Sequence, residues 1–360
     1  MNPFSTLHIS VEAAAAYSAA GPALIDFVNR EIASAPEVNT LIGGNPLEVL
    51  YANHRHHHGV ICNVMKFGAW QMLHEIIPWV YRSYVSHGFS YAYFPRAFRA
   101  WQGAVEEHTG AAFSQELNKI YDLFLEHHEA SIVRSQEHVP HGSLFKPPYE
   151  ALSAEVITAL TSGDASGVIN MGEKLVTDAS SLADLYMGLL TPAMIEIGHR
   201  WEEGRLSVAH EHLASGVVNR VMAYWYHHIL SCRQTKGKAL ITAGPGEFHA
   251  IGSAILADLL SIDGWQTIQL GANTPTEDLL IMMDSFQPDI VGISVAMPFN
   301  IHNATAMIVG IHHRNGGKCK IMVGGQAFAM MPAIWRQTGA DHHAATNREA
   351  VAWAADRWND

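Results

Sequence analysis

Beyond Lys236 the chain changes its hydrophobic period, and this constrains the fold more than any other feature. Residues 238–242, 266–270, 289–294 and 320–323 are short apolar runs, each followed by a loop and a helix-length segment. Parallel strands cannot be joined by a tight turn, so strand and helix alternating at this spacing dictate a parallel sheet with crossover helices covering both faces. A fifth strand is expected near 340–345, ahead of a last helix through 350–358. The first 140 residues contain no strand alternation. Apolar residues there recur at helical spacing from Val11 to Val133, punctuated by Gly21-Pro22, Gly43-Gly44-Asn45-Pro46, Gly88 and Gly110, so this part reads as all helix. The prolines and glycine of Val139-Pro140-His141-Gly142-Ser143-Leu144-Phe145-Lys146-Pro147-Pro148 mark a linker. From 149 to 234 helical patterns return, with breaks at 161–164, at 177–181 and around Gly204, leaving room for four short-linked helices. The expected architecture is a multidomain α and α/β chain: an all-helical domain at 1–140, a four-helix bundle at 149–234 and a doubly wound parallel-sheet domain at 236–360.

Composition narrows the partners. The 22 Lys+Arg against 34 Asp+Glu give a formal charge of -12, and no local basic patch offsets it, so neither direct nucleic acid binding nor a membrane surface is expected. No run approaches the roughly 18 apolar residues of a spanning helix. The first ten residues lack the charged-then-apolar order of a secretory signal, and a cytoplasmic location is expected. Cys62, Cys232 and Cys319 are far apart, which argues against a disulfide framework and against a thiolate zinc site. Histidine is abundant, 23 against 22 Lys+Arg.

In an open parallel sheet, ligands bind beyond the carboxyl ends of the strands. Three loops there are unusual: Gly244-Pro245-Gly246-Glu247-Phe248-His249-Ala250-Ile251-Gly252 after the first strand, Ser294-Val295-Ala296-Met297-Pro298 after the third, and Gly324-Gly325-Gln326 after the fourth. With strand order 2-1-3-4-5 these form one rim, and one ligand can touch all three. His249 has a carboxylate two residues earlier, the usual partner for the second nitrogen of a ligating imidazole. The glycines let backbone approach a large ligand. Glycine turns after strands are also ordinary in such domains, so the loop alone leaves both readings open.

The set as a whole resembles the cobalamin-binding domain shared by methionine synthase, the mutases and the corrinoid proteins. That family carries an Asp-x-His-x-x-Gly loop, a Ser-x-Leu and a Gly-Gly in this order; here they are Glu247, His249 and Gly252, then Ser294, then Gly324 and Gly325. Glu247 replaces the aspartate, a form common in the light-sensing branch, and Ala296 replaces the leucine. The resemblance implies that His249 is the lower axial ligand of cobalt and that the nucleotide tail inserts beside Ser294 and the glycine pair.

Upstream, Trp201 is followed after nine residues by Glu211-His212. This resembles the Trp-x9-Glu-His signature of cobalamin-dependent photoreceptors related to the MerR-type light-responsive repressors. It implies a bundle over the upper face of the corrin, with Trp201 and Glu211 capping an adenosyl group and His212 nearby. An aromatic plate and a carboxylate acceptor suit a flat base and sugar hydroxyls. In the repressors a histidine directly after the tryptophan takes cobalt once light has expelled adenosyl; here Glu202 stands there. Either His199, His210 or His212 takes that role, or the illuminated state carries water.

The segment from Trp79 to Trp101 holds nine aromatics in 23 residues, together with Arg82, Arg96 and Arg99. Aromatics at helical spacing make ordinary core, yet Tyr91 and Tyr93 beside guanidinium groups also suit a flat conjugated ligand with carboxylate tails. In Asn53-His54-Arg55-His56-His57-His58, His54 and His58 share a helix face and admit a metal, haem, or donors to a pigment. The whole arrangement resembles the photocobilins, photoreceptors that pair a cobalamin domain with a helical, globin-like bilin domain. That implies biliverdin beside adenosylcobalamin, held without a covalent bond, with Cys62 the only thiol in that domain, and light-dependent self-association. The expected function is a non-enzymatic light sensor signalling to an unknown downstream partner. The alternatives are a corrinoid methyl carrier of a methyltransferase system, and a haem or redox sensor acting as an antirepressor.

Overall fold

The structure, a computed structural model, describes residues 2–137, 142, 144–330 and 333–359. It divides into two compact units, Met1–Val139 and Pro140–Asp360. Residues 139–141 and 143 of the expected linker lie outside the described residues.

The first unit is helical throughout: α1 (Val11–Ala19), α2 (Gly21–Ala33), α3 (Val38–Leu41), α4 (Leu47–Phe67), α5 (Trp70–Ser86), α6 (Tyr93–His108), α7 (Ala111–Glu126) and α8 (His128–Gln136). Local signals set the ends. Ser10 caps α1 by accepting from the Ala13 amide, and α4 stops at Gly68, whose left-handed backbone costs a residue without Cβ little. Leu24, Val28 and Ile32 recur on one face of α2, and that face is buried with Trp101 and Ala104 of α6. Each such aliphatic side chain contributes about 1.5–3 kcal/mol on burial. The aromatic-rich segment supplies core: Tyr81 stacks on Phe94 at 3.7 Å, and Trp101 lies parallel to Tyr121 at 6.2 Å.

The second unit opens with α9 (Ser153–Ser162), α10 (Ala165–Glu173), α11 (Ala179–Leu185), α12 (Thr191–Glu202) and α13 (Val208–Leu230). A π-helical turn at Tyr186–Leu190 joins α11 to α12 without a break, so the elements make the four helices expected. Asp178 caps α11, and Ser207 and His210 cap α13 reciprocally. The α/β part follows as β1 (Lys238–Ala243), α14 (Ile251–Ile262), β2 (Gln266–Gln269), α15 (Thr276–Phe286), β3 (Ile290–Ser294), α16 (Ile301–Asn315), β4 (Lys320–Gly324), α17 (Gln326–Ala329), α18 (Trp335–Thr338), β5 (His342–Ala344) and α19 (Asn347–Asn359). All strand pairs are parallel, in the order β2-β1-β3-β4-β5. Right-handed crossovers in this order place α14 on one face and α15 and α16 on the other.

Bundle and sheet, expected as separate domains, lie in one compact unit. The reason is a shared core: Ile255 and Leu259 of α14 are buried with Leu182, Leu185, Val217 and Val221 of the bundle. A helix that is apolar nearly all round, as α14 is, must be covered on more than its sheet side. Among the described residues, no helix is long and apolar enough to cross a membrane.

Candidate cofactor site

Sheet order makes the rim. Ala243 at the end of β1 is paired with Ser294 at the end of β3, and Ser294 with Gly324 at the end of β4, so the three glycine-rich loops leave the sheet side by side. The turn after β4 needs its glycine. At Gly325, with φ +97°, a Cβ would stand 2.4 Å from the Val295 carbonyl oxygen.

The loop after β1 holds a buried carboxylate beneath an accessible imidazole. Glu247 is 0% exposed and the His249 side chain 59%. Glu247 Oε1 accepts from the His249 amide at 3.1 Å and lies 2.5 Å from His249 Nδ1. Its Oε2 accepts from the amides of Ala296 and Met297, each at 2.9 Å, and from Asn300 Nδ2 at 3.2 Å. Burial alone would push the Glu247 carboxyl up, but the hydrogen bonds from His249 and Met297 and the His249 charge outweigh it and hold it below its ordinary value. The bond to Glu247 raises His249, against the opposing effect of burial, and the charges of Glu247 and Glu211 add to the rise. An ionised carboxylate at Nδ1 fixes the neutral ring as the Nδ1-H tautomer, whose Nε2 lone pair is free for a metal. Asn273 and Asn303 hold the same loop, Asn273 accepting from the Gly246 amide at 2.8 Å and Asn303 donating to Pro245 O at 3.0 Å.

From the bundle, Trp201 lies half-buried on the last turn of α12 and Glu211 on the first turn of α13. Ser215 donates to Glu211 at 2.7 Å. The Glu211 charge adds to the rise at His249, and α13, which carries Glu211, packs on α14, the helix that follows the His249 loop. His212, 3.6 Å from Glu211, is 73% exposed. Of the other imidazoles considered for cobalt, His210 is engaged with Ser207 at 2.8 Å. Glu202 is buried.

In the first unit the expected pigment residues are tied to neighbours. His54 lies between Asn29 Oδ1 (2.7 Å) and the Tyr93 hydroxyl (3.1 Å). His58 stacks on Tyr17 with Cys62 Sγ 3.6 Å from its Nε2. Arg82 donates to Ser135 O at 3.2 Å and Tyr91 lies 3.3 Å from Ser135 Oγ. Arg96 faces Glu37 at 3.9 Å, and Arg99 is exposed. Sequence reasoning passed over His57. Its ring is enclosed by Trp101 (4.9 Å), Tyr121, Phe124 and Phe98, and its buried Nε2 has no hydrogen-bond partner among the described residues. Burial pushes its pKa down to about 3, helped by His54 and His58, so it is neutral. The signal available was the i, i+3 and i, i+4 relation to His54 and Ile61 on the inner face of α4. Asn300 was also missed, since an Asn six residues past a strand end carries no motif. Among the described residues, no group of three or more His, Cys, Asp or Glu is placed to hold a metal ion; a cofactor metal with one protein ligand is consistent with that.

Comparison with known proteins agrees with this geometry. Residues 237–352 match a B12 binding domain family, and residues 152–226 match a second family of that description. A corrinoid protein of Desulfitobacterium hafniense is 24% identical over 210 residues, 57% of this chain and 96% of its own length. The dimethylamine corrinoid protein of Methanosarcina barkeri is 26% identical over 211 residues, 58% of this chain and 97% of its own. The HTH-type transcriptional repressor CarH of Myxococcus xanthus is 34% identical over 106 residues, 29% of this chain and 35% of the repressor. In fold, the monomethylamine corrinoid protein of Methanosarcina barkeri superposes with a TM-score of 0.50 at 16% identity, covering 58% of this chain and 99% of that one. The second unit thus carries a cobalamin-binding architecture of bundle and parallel sheet, and the cofactor class is a corrinoid. The residues fit such a group. His249 offers Nε2 to a metal with Nδ1 already committed, and at the exposed Gly252 a Cβ would meet nothing within 4 Å, so that surface is open to a bulky ligand.

Proposed function

We propose that the chain is a light sensor that holds adenosylcobalamin in its second unit and signals through a change of conformation or oligomeric state, not through catalysis. The observation that carries this reading is the placement of Trp201 at the end of α12 and Glu211 at the start of α13, a helix that packs on α14 directly after the His249 loop, with the Glu211 charge adding to the rise at His249. When bound, adenosylcobalamin supplies a light-labile cobalt-carbon bond. Residue roles follow from chemistry: His249 Nε2 would hold the cobalt, Glu247 would orient the imidazole, and Gly252, Ser294, Gly324 and Gly325 would leave room for the nucleotide tail. Trp201 and Glu211 would hold the adenosyl group, Trp201 by stacking and Glu211 by accepting from its hydroxyls, with His212 beside them. Loss of the adenosyl group would remove contacts from the junction of α12 and α13, and a bundle packed differently in the two states would be a switch by differential contact. After loss of the adenosyl group, His199, His210, His212 or water would be available to hold the cobalt. The match to the light-sensing type of repressor supports this branch, though it covers 35% of that protein.

The helical first unit, which we take as globin-like, is proposed to hold biliverdin. Its interior of aromatic rings and neutral imidazoles, His54 and His57 above all, suits a conjugated ligand with pyrrole N–H groups. Output then passes through self-association or a protein partner. A second reading, a corrinoid methyl carrier, is favoured by the two corrinoid relatives matched over 96% and 97% of their length. Gel filtration of adenosylcobalamin-loaded protein in darkness and after green light decides. The sensor predicts a changed elution volume. Identical profiles, with methyl transfer from methyl-loaded protein to an added methyltransferase, establish the carrier.

A further inference from the structure

The hydrogen bonds to Glu247 fall into two sets. Oε1 faces its own loop and the His249 ring, whereas Oε2 faces the loop after β3, where it meets two backbone amides and Asn300. Asn300 ends the short 3₁₀ turn Pro298–Asn300 ahead of α16 and is 5% exposed. The same Nδ2 donates to Gly246 O at 3.1 Å. With a carbonyl and a carboxylate as its two partners, the amide must present its NH2 group to both, which fixes its orientation. The room comes from Gly246, at φ +79°, where a Cβ would stand 2.9 Å from Asn300 Oδ1.

We propose that Asn300 is the positioning residue for His249. It ties the loops after β1 and β3 together and fixes the rotamer of Glu247. Through Glu247 it sets the tautomer and direction of the imidazole that offers Nε2 to cobalt. The inference rests on the reading of His249 as the lower ligand. Two backbone amides grip Oε2 from the loop after β3 alone; Asn300 also grips the carbonyl of the residue before Glu247, so the carboxylate cannot turn without breaking a second bond. Partners of this kind behind a metal ligand are worth about ten- to a hundredfold in metal affinity. Asn303 provides the control, because it holds Pro245 O in the same loop without touching Glu247.

Three readouts test this in Asn300→Ala, Asn300→Asp and Asn303→Ala. In cofactor-free protein carrying 15N-histidine, the ring nitrogens of His249, assigned by difference with His249→Ala, report the tautomer in alkaline buffer. Wild type and Asn303→Ala should hold the Nδ1-H form and both Asn300 variants a mixture. In protein loaded with cob(II)alamin, the electron paramagnetic resonance of wild type should show axial nitrogen splitting that changes from triplet to doublet on 15N-histidine labelling. Cobalamin affinity should fall about tenfold or more in Asn300→Ala, further in Asn300→Asp, and less than about twofold in Asn303→Ala. A wild-type tautomer and splitting in Asn300→Ala overturns the proposal, as does an equal loss in Asn303→Ala. A wild type with no histidine-derived splitting overturns the reading of His249 as ligand, and the tautomers then decide alone whether Asn300 sets the imidazole.

Discussion

His54 and His57 of the first unit and His249 of the second are the same side chain in opposite settings. The first two are buried among aromatic rings, and burial pushes each down to about 3. His249 leans on a buried carboxylate and is pushed up. Burial without an anion makes an imidazole a neutral core group; burial of an anion beneath it fixes the ring and directs its second nitrogen outward. The difference teaches that the abundance of histidine says little, whereas a carboxylate two residues before a histidine, at a strand end, says a great deal.

The comparison breaks first under acid. Each of His54 and His57 has a folded pKa far below its unfolded value of about 6.5, so its stabilising contribution is complete above that value and is lost as pH falls toward about 3. That is on the order of a few kcal/mol per imidazole, and the hydrogen-exchange protection of α4 should weaken as pH falls from about 6 to about 4. The second unit runs the other way through Asp258 of α14, which burial beside Tyr186 pushes up to about 7. Unfolded, it ionises near its ordinary value, so its contribution is present below that value and is lost as pH rises through about 7. Hydrogen-exchange protection of α14 should therefore weaken as pH rises from about 4 to about 7 and level off above that, and Asp258→Asn should flatten that dependence. If α4 and α14 respond alike to pH, the contrast between the units is wrong.

Trp101→Ala should cost about 3–5 kcal/mol, read as lost thermal stability of the first unit, because the ring supports His57, Tyr17 and Tyr121 at once. His57→Phe sharpens the point. It removes a buried nitrogen without a partner among the described residues, so it should be within about 1 kcal/mol of wild type at neutral pH and should blunt the acid lability. Of similar size is Ser207→Ala, which removes one half of the cap on α13 and should cost about 1 kcal/mol, measured by exchange in the turn that carries Glu211.

Much of this was legible in the sequence because it depends on period and spacing. Runs of four to six apolar residues at helix-length intervals fix a parallel sheet, and the five strands lie in the expected order. The rim at Glu247, Ser294 and Gly324 followed from that order. What escaped depends on contacts between distant segments. The π turn at Tyr186–Leu190 carries no breaker, and the core that joins α14 to the bundle is visible only once both are packed. Asn300 meets Glu247 across 53 residues. In the first unit, the residues read as a pigment site are engaged with Asn29, Glu37 and Ser135, because a polar group on an inner helix face takes the nearest partner the packing offers.

The central claim is that His249 holds a photolabile cobalamin beneath the bundle. The most direct test is the absorption spectrum of protein reconstituted in darkness with adenosylcobalamin and biliverdin, recorded before and after green light and repeated with His249→Ala. The account predicts a red bilin band beside a cobalamin spectrum that changes irreversibly on illumination, with the lower-ligand signature lost in the variant. Corrinoid retained without any light-driven change, or no corrinoid retained at all, would contradict it.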